Sequence, residues 1–443
     1  MNIELSGHFN YRRIVLSVMP SIAMMVVTSV YGIVDGLFVS NFAGTTAFAS
    51  VNLVWPALMI VGALGMMVGT GGSALISKTM GEGDADKANA IFTMLVKFDG
   101  IIGIALSALL FVFFPSIARW LGASSEMMPY CITYGRVLLT MMPAYILQCS
   151  FSSLYMTAEK PQLGTIMSIV CGVANVIGDA LFIGLLGWGI TGAALATGLA
   201  QVVGAAFPLL YFSSRRNSSR LKLVKSPIVW HHILKTCTNG ISEYVGNIAF
   251  SLVSVCYNLQ LMRYVGENGV SAYGVIMYVG FVFFAIFCGY NIGITPIIGY
   301  HYGAQNHKEL HNLLKRSLVL MFVLGTLITG ISEATGRWTS AIFVGYDPEL
   351  LDLTTRAYRI YMLSFVLGGV NVFVSALFTA LNNGLISAIA ALARSLVFEL
   401  GCVFILPLIF GIDGIWMAVT IAETLTFILC LVLVLAFRKR YHY

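Results

Sequence analysis

Between Arg13 and Asp35 the chain carries no charge, and between Asp35 and Lys78 it carries none again. Runs of that length do not suit a surface in water. A bilayer core calls for about 20 consecutive apolar residues in helical form. Twelve segments along the 443 residues meet that length: 14–40, 51–76, 91–117, 129–156, 162–186, 189–212, 238–262, 270–300, 313–334, 352–380, 385–407 and 412–437. Several exceed the minimum, so tilt, kinks or helix extending beyond the lipid is expected. Charged residues make up only 10% of the chain, whereas soluble domains carry about 25%. The first segment is too long and too bulky for a cleaved secretory signal and reads as a true span. The expected fold class is an all-α integral membrane protein with twelve transmembrane helices.

Lys and Arg orient those spans. With the N-terminus inside, 17 of the 25 fall in cytoplasmic segments and 6 at outer ends, leaving Lys97 and Arg394 within spans. Both termini are then cytoplasmic, in a multi-pass protein of the plasma or inner membrane. The net charge of +6 reflects this bias and argues for no nucleic-acid partner. The eight cysteines are scattered without a CxxC pair and read as small buried hydrophobes. His231 and His232 lie in a basic stretch with no carboxylate or thiol nearby and read as solvated. No HExxH or paired Cys/His spacing supports an enzyme, and no cofactor is expected beyond a coupling ion. No strong small-residue dimer motif stands out, so a monomer in the bilayer is expected.

The chain also repeats itself at a shift of 222. GTGGSALISKTMGEGD (69–84) lies against NIGITPIIGYHYGAQN (291–306), pairing Gly71 with Gly293 and Gly81 with Gly303. SSLYMTAEK (152–160) lies against VSALFTALN (374–382), and LLGWGITG (185–192) against PLIFGIDG (407–414). One unchanged shift across three separated blocks implies duplication. Each half holds six spans, so the chain returns to the same side and the halves run parallel. Two pseudo-symmetric six-helix bundles follow, 1–212 and 236–443, joined by a basic linker, 213–235. Their axis lies along the membrane normal, with a substrate path between them.

A carboxylate inside a span costs roughly 2.5–3.5 kcal/mol on insertion scales. The intramembrane acids are Asp35, Asp179, Glu243, Glu399 and Glu423, with Arg394 as a counter-ion candidate. Counted from the outer ends of spans 1, 5, 4 and 6, the residues Asp35, Asp179, Tyr134 and Thr197 all sit roughly 8–12 Å deep. Asn175 lies one turn from Asp179 on the same helical face. Four helices of one half thus offer oxygens at one level. Such a pocket can share a proton between two carboxylates, or coordinate Na⁺ through Asp35, Asn175, Asp179 and Thr197. The alternative is that these acids only hydrogen-bond neighbouring helices. Intramembrane acids are read as functional by default.

The second half is less ordered. Glu243 lies near the cytoplasmic end of span 7, where solvation is cheap. The shift places Gln201 opposite Glu423, so both halves put a polar group there. Arg394 and Glu399 are five apart, an imperfect helical pair, and a bridge to a neighbouring helix competes with substrate contact. Lys97 and Asp99 are two apart and cannot face each other; Lys97 is expected to snorkel inward. Pro20, fifteen residues before Asp35, can kink span 1 or act as its hinge.

VDGLFVSNFAG in span 1, the GEGD and GAQN turns, TYGRVLLTMMP in span 4, ANVIGDALFI in span 5, and GWGITGAALATGLAQ and GIDGIWMAVTIAE at spans 6 and 12 resemble the multidrug and toxic compound extrusion (MATE) family, particularly its bacterial branches. The resemblance covers nearly the whole chain. It implies a secondary antiporter that exports organic cations and drugs in exchange for H⁺ or Na⁺ by alternating access. It also implies coupling-ion roles for Asp35, Asn175, Asp179, Tyr134 and Thr197 and a bending role for Pro20. Some members use a span-7 Glu and a span-10 Asp. Here span 7 offers Glu243, displaced toward the cytoplasm, and span 10 offers Asn371 without an acid. That argues against a C-terminal Na⁺ site of that type. A flippase for lipid-linked saccharides or lipids is the competing reading; it would want extra spans and a cationic cavity for pyrophosphate, and Arg394 alone as a strong basic candidate disfavours it.

Overall fold

The computed structural model describes residues 4–42 and 44–443; Ala43 of the VDGLFVSNFAG motif lies outside them. Every described element is helical. The first half holds α1 (Tyr11–Phe42), α2 (Thr45–Gly81), α3 (Ala85–Trp120), α4 (Met128–Thr157), α5 (Pro161–Asp179) and α6 (Gly189–Ser213). The second holds α7 (Trp230–Tyr264), α8 (Glu267–Gly303), α9 (His307–Val344), α10 (Pro348–Met362), α11 (Phe365–Ala380), α12 (Gly384–Leu392), α13 (Leu400–Phe410) and α14 (Ile412–Tyr441). A π-helical turn, Ala180–Leu185, extends α5, and another, Ala393–Glu399, joins α12 to α13.

Most helices outrun the apolar segments that predict them. At 1.5 Å per residue, the 32 residues of α1 span about 48 Å, against a hydrocarbon core of about 30 Å. The backbone ladder continues into the polar layer until a cap ends it. Asp84 caps α3 by accepting from the Lys87 N–H at 3.0 Å, and Asn306 caps α9 by accepting from the Glu309 N–H at 3.2 Å. These two residues close the GEGD and GAQN turns and stand 222 apart. The basic linker is shorter than its composition suggests, because α7 begins at Trp230. The irregular part is pinned along α3: the Lys222 and Val224 N–H groups donate to Asn89 Oδ1 and Thr93 Oγ1 at 2.7 and 2.9 Å.

Among the described residues, eleven helices are long and apolar enough to cross a membrane, and α10 with α11 makes a twelfth, bent by 43°. The expected single span 352–380 is thus broken at Leu363–Ser364. Neighbouring side chains intrude there on the helical ladder. Thr329 Oγ1 donates to the Met362 carbonyl at 3.0 Å, and Thr420 Oγ1 to the Ile360 carbonyl at 3.1 Å. Carbonyls held from outside release the next turn, a recognised cause of kinks.

The largest apolar core joins residues of α7 to α14 with Leu5, Phe9, Ile14, Val18 and Met156; a second cluster lies mainly in the first half but takes in Leu221 and Ile233, and a third lies within the first half. The halves meet through α1, α2, α7 and α8. A Cβ on Gly81 would overlap the Tyr300 carbonyl, and one on Gly303 would overlap the Lys78 carbonyl. Those two contacts exchange under the 222 shift. Gly71 against Gly240 and Gly293 against Val18 form a second exchanging pair. All four lie toward the face that carries both chain ends. Further along the same helices, Gly32 and Gly36 of α1, Gly246 of α7 and Gly274 of α8 meet nothing within 4 Å. The close glycine contacts between the bundles therefore lie toward one face.

Candidate functional site

The deepest polar cluster of the first half sits where α1, α5 and α6 converge. Two features bring these helices together. Thr165 Oγ1 at the start of α5 donates to the Pro20 carbonyl of α1 at 2.7 Å, and Gly172 leaves room for Tyr31, whose Cβ would lie 3.3 Å from an added methyl. On the other side, Gly178 lies against Ala196, 2.8 Å from a Cβ placed there. That close approach sets their sequence neighbours, Asp179 and Thr197, beside the same space. Pro20 itself lies inside α1, which runs as one helix through it.

Asp35 Oδ1 accepts from Thr197 Oγ1 at 3.3 Å and from Asn175 Nδ2 at 3.5 Å, and Asn175 Nδ2 also reaches Thr197 Oγ1 at 3.3 Å. Asp179 is fully buried, and neither of its carboxylate oxygens has a donor; the Asn175 Oδ1 oxygen is buried and unpartnered as well. The Asp35 and Asp179 carboxyl groups lie near each other in this pocket. Tyr134, 1% exposed, stands next to both. No ion pair among the described residues reaches either acid.

Two neighbouring carboxylates in low dielectric repel strongly when both are ionised. The cluster is therefore short of one positive charge and holds three buried acceptor oxygens to receive it. A single proton bridging the acids satisfies it, and so does one small hard cation held by carboxylate, amide and hydroxyl oxygens. All five residues predicted to line the pocket, Asp35, Tyr134, Asn175, Asp179 and Thr197, are brought together.

The second-half residues form a different group. Arg394 pairs with Glu423 rather than with Glu399: its Nε and Nη2 both lie 2.7 Å from Glu423 Oε1. Asn371 Nδ2 donates to Glu423 Oε2 at 2.6 Å and to the Glu423 carbonyl at 2.8 Å. This is a closed ion pair linking the π turn, α11 and α14. Glu399 is half-buried near Tyr257, Tyr273 and Tyr361. Glu243 is half-buried on α7 near Cys288 and is not part of either cluster.

Sequence reasoning misses two residues. Tyr31 lies one helical turn before Asp35 and points into the same region; the i, i+4 spacing is its signal, lost among 20 tyrosines. Asp99 is fully buried in α3 with both carboxylate oxygens unpartnered. Its neighbour Lys97 masks it in the sequence, yet Lys97 turns away and donates to the Ser226 carbonyl at 2.9 Å.

Two helical bundles in contact through α1, α2, α7 and α8, with a buried acidic pocket inside one of them, are the plan of a membrane transporter. The chain belongs to the MatE family, whose pattern matches residues 20–181 and again 244–405. It is similar to the multidrug export protein MepA of Staphylococcus haemolyticus, 23% identical, over 95% of this chain and 93% of that one. Among solved structures, a MATE transporter in complex with MaL6 superposes with a TM-score of 0.93 at 21% identity, over 100% of this chain and 98% of that one. An outward-facing multidrug resistance MATE transporter of the MOP superfamily gives 0.91 at 22%, over 99% and 97%.

Proposed function

We propose that this protein is a secondary active efflux antiporter that exports organic cations and other toxic compounds across the cytoplasmic membrane in exchange for H⁺ or Na⁺. The observation that carries the coupling is the Asp35–Asn175–Asp179–Thr197 cluster, buried, acidic and unneutralised. Export against a gradient needs an ion that binds the two shapes of the transporter with different affinity. Helix α1 supplies the difference, because Asp35 rides on it while Asn175, Asp179 and Thr197 ride on α5 and α6. Pro20 is the position at which α1 would bend.

The Lys and Arg bias supports a cytoplasmic position for the face that carries both chain ends. Ion enters the pocket from outside, α1 and α5 rearrange, and drug leaves. The similarity to multidrug export proteins supports the substrate class. The flippase reading is disfavoured further, since its one strong basic candidate, Arg394, is bound to Glu423.

The test is efflux of a fluorescent organic cation from proteoliposomes under a proton or a sodium gradient imposed separately, with Asp35→Asn alongside. One gradient drives export, and Asp35→Asn abolishes it while leaving insertion intact. Normal export by both Asp35→Asn and Asp179→Asn proteins sinks the assignment. If neither gradient matters for several cations, the drug-export reading fails.

A further inference from the structure

On the face that carries the chain ends, α2, α3 and α7 enclose an open cavity of about 240 Å³. Its walls carry Lys78, Lys87, Lys235, His231 and His232 against one carboxylate, Glu82. Glu82 is committed to Lys78 at 3.4 Å, and Lys235 donates to the Asn382 carbonyl at 2.8 Å. Lys87 has no carboxylate partner among the described residues. Asp84, close to it in sequence, caps the Lys87 backbone N–H.

The duplication supplies an internal control. At the shift of 222, Lys87 corresponds to Glu309, Lys235 to Arg13, and His231 to Phe9. In the second half the equivalent place is filled by the beginning of the chain. Phe9 is fully buried there; its N–H donates to Glu309 Oε1 at 2.8 Å, and its carbonyl accepts from Asn312 and Arg316 at 2.9 and 2.7 Å. His8 Nδ1 lies 2.8 Å from Glu309 Oε2. This position is thus closed by the second half's acid and a peptide of the first half. Its counterpart beside Lys87 is lined with lysines and histidines and stays open.

We propose that this cavity binds a phosphate-bearing anion, the headgroup of an anionic phospholipid from the adjacent leaflet. Compact ammonium charges suit a phosphate, and basic pockets between transmembrane helices are the usual seat of such headgroups. Beside it, Trp230 and Leu234 stand one turn apart on α7 and are 65% and 63% exposed. They form an apolar flank against which acyl chains lie, at the level where Trp anchors helices to the interface. A soluble phosphate compound offers the same charge but has no use for that flank. The site also straddles the two bundles. Lys78 and Lys87 come from the first, His231, His232 and Lys235 from the second, close to the Gly71–Gly240 contact. A bound headgroup therefore favours the arrangement closed at this face.

The test reads binding, so it stands apart from the transport assay. Delipidated full-length protein is titrated with short-chain phosphatidylglycerol, with phosphatidylcholine of equal chain length, and with inorganic phosphate, followed by native mass spectrometry and thermal unfolding. Lys87→Glu installs the acid that the second half carries at Glu309, in the first turn of α3 where a carboxylate favours the helix. Lys439→Glu makes the same charge change on the exposed end of α14. Phosphatidylglycerol binds saturably to the parent and to Lys439→Glu and about tenfold or more weakly to Lys87→Glu, while phosphatidylcholine shows no saturable binding. Saturable inorganic phosphate that Lys87→Glu abolishes upholds the site and assigns its ligand to solution. Equal binding of phosphatidylglycerol by parent and Lys87→Glu, equal affinity for phosphatidylcholine, or no saturable anion at all overturns the proposal.

Discussion

Thr197 shows how much of the pocket depends on one hydroxyl. It donates to Asp35 and accepts from Asn175, so Thr197→Val removes a donor to a charged group and one of the two acceptors of the Asn175 amide. A hydrogen bond to a charged group is worth about 1.5–3 kcal/mol, so the apparent affinity for the driving ion should change by about tenfold or more, while Thr197→Ser stays near the parent. Ion-dependent efflux rates measure both. Glu423 behaves differently, because it is buried and its partner is a half-buried cation. Glu423→Gln leaves Arg394 uncompensated and should cost about 3–5 kcal/mol, seen as a lowered unfolding temperature; replacing both partners by methionine should cost much less. The acids of the pocket were legible in the sequence because charge inside a span is expensive, and Asn175 because it lies one turn from Asp179. The partner of Arg394 was not, since pairing across helices leaves no trace in sequence spacing.

At the scale of the element, the repeated turns show why two dissimilar motifs share a job. GEGD and GAQN both supply a glycine that lets a carbonyl of the other half approach and an N-cap three residues later. Asp84→Ala and Asn306→Ala should each lower stability by about 1 kcal/mol, and an unchanged thermal unfolding curve for either would remove the cap from the account. The fifth span of each half carries a π-helical turn, one directly after Asp179 and one holding Arg394 and Glu399. Such turns concentrate at functional positions. Neither they nor the 43° break in the tenth span can be read from hydropathy. The break comes from Thr329 and Thr420, hydroxyls on other helices that a local window never includes.

For the whole molecule, the contacts at Gly81 and Gly303 are the latch between the bundles. Gly303→Ala pushes a methyl into the Lys78 carbonyl and should loosen the closed face. Ser77 is fully buried at that contact, so a Ser77→Cys probe should react faster with a maleimide in the Gly303→Ala background. Equal rates would show that the face is held elsewhere. The twofold plan was visible in the sequence, since the 222 shift pairs these glycines. What they touch was not, because a glycine that admits a neighbouring backbone looks the same in sequence as one in a turn.

The tucked beginning of the chain has a consequence for ancestry and engineering. When two copies of a bundle are fused end to end, the second copy must be entered through a connector. That connector makes the halves unequal at this face, however alike their spans remain. Cutting the chain within the linker would release the segment before α7, and the socket beside Lys87 would then be available to it.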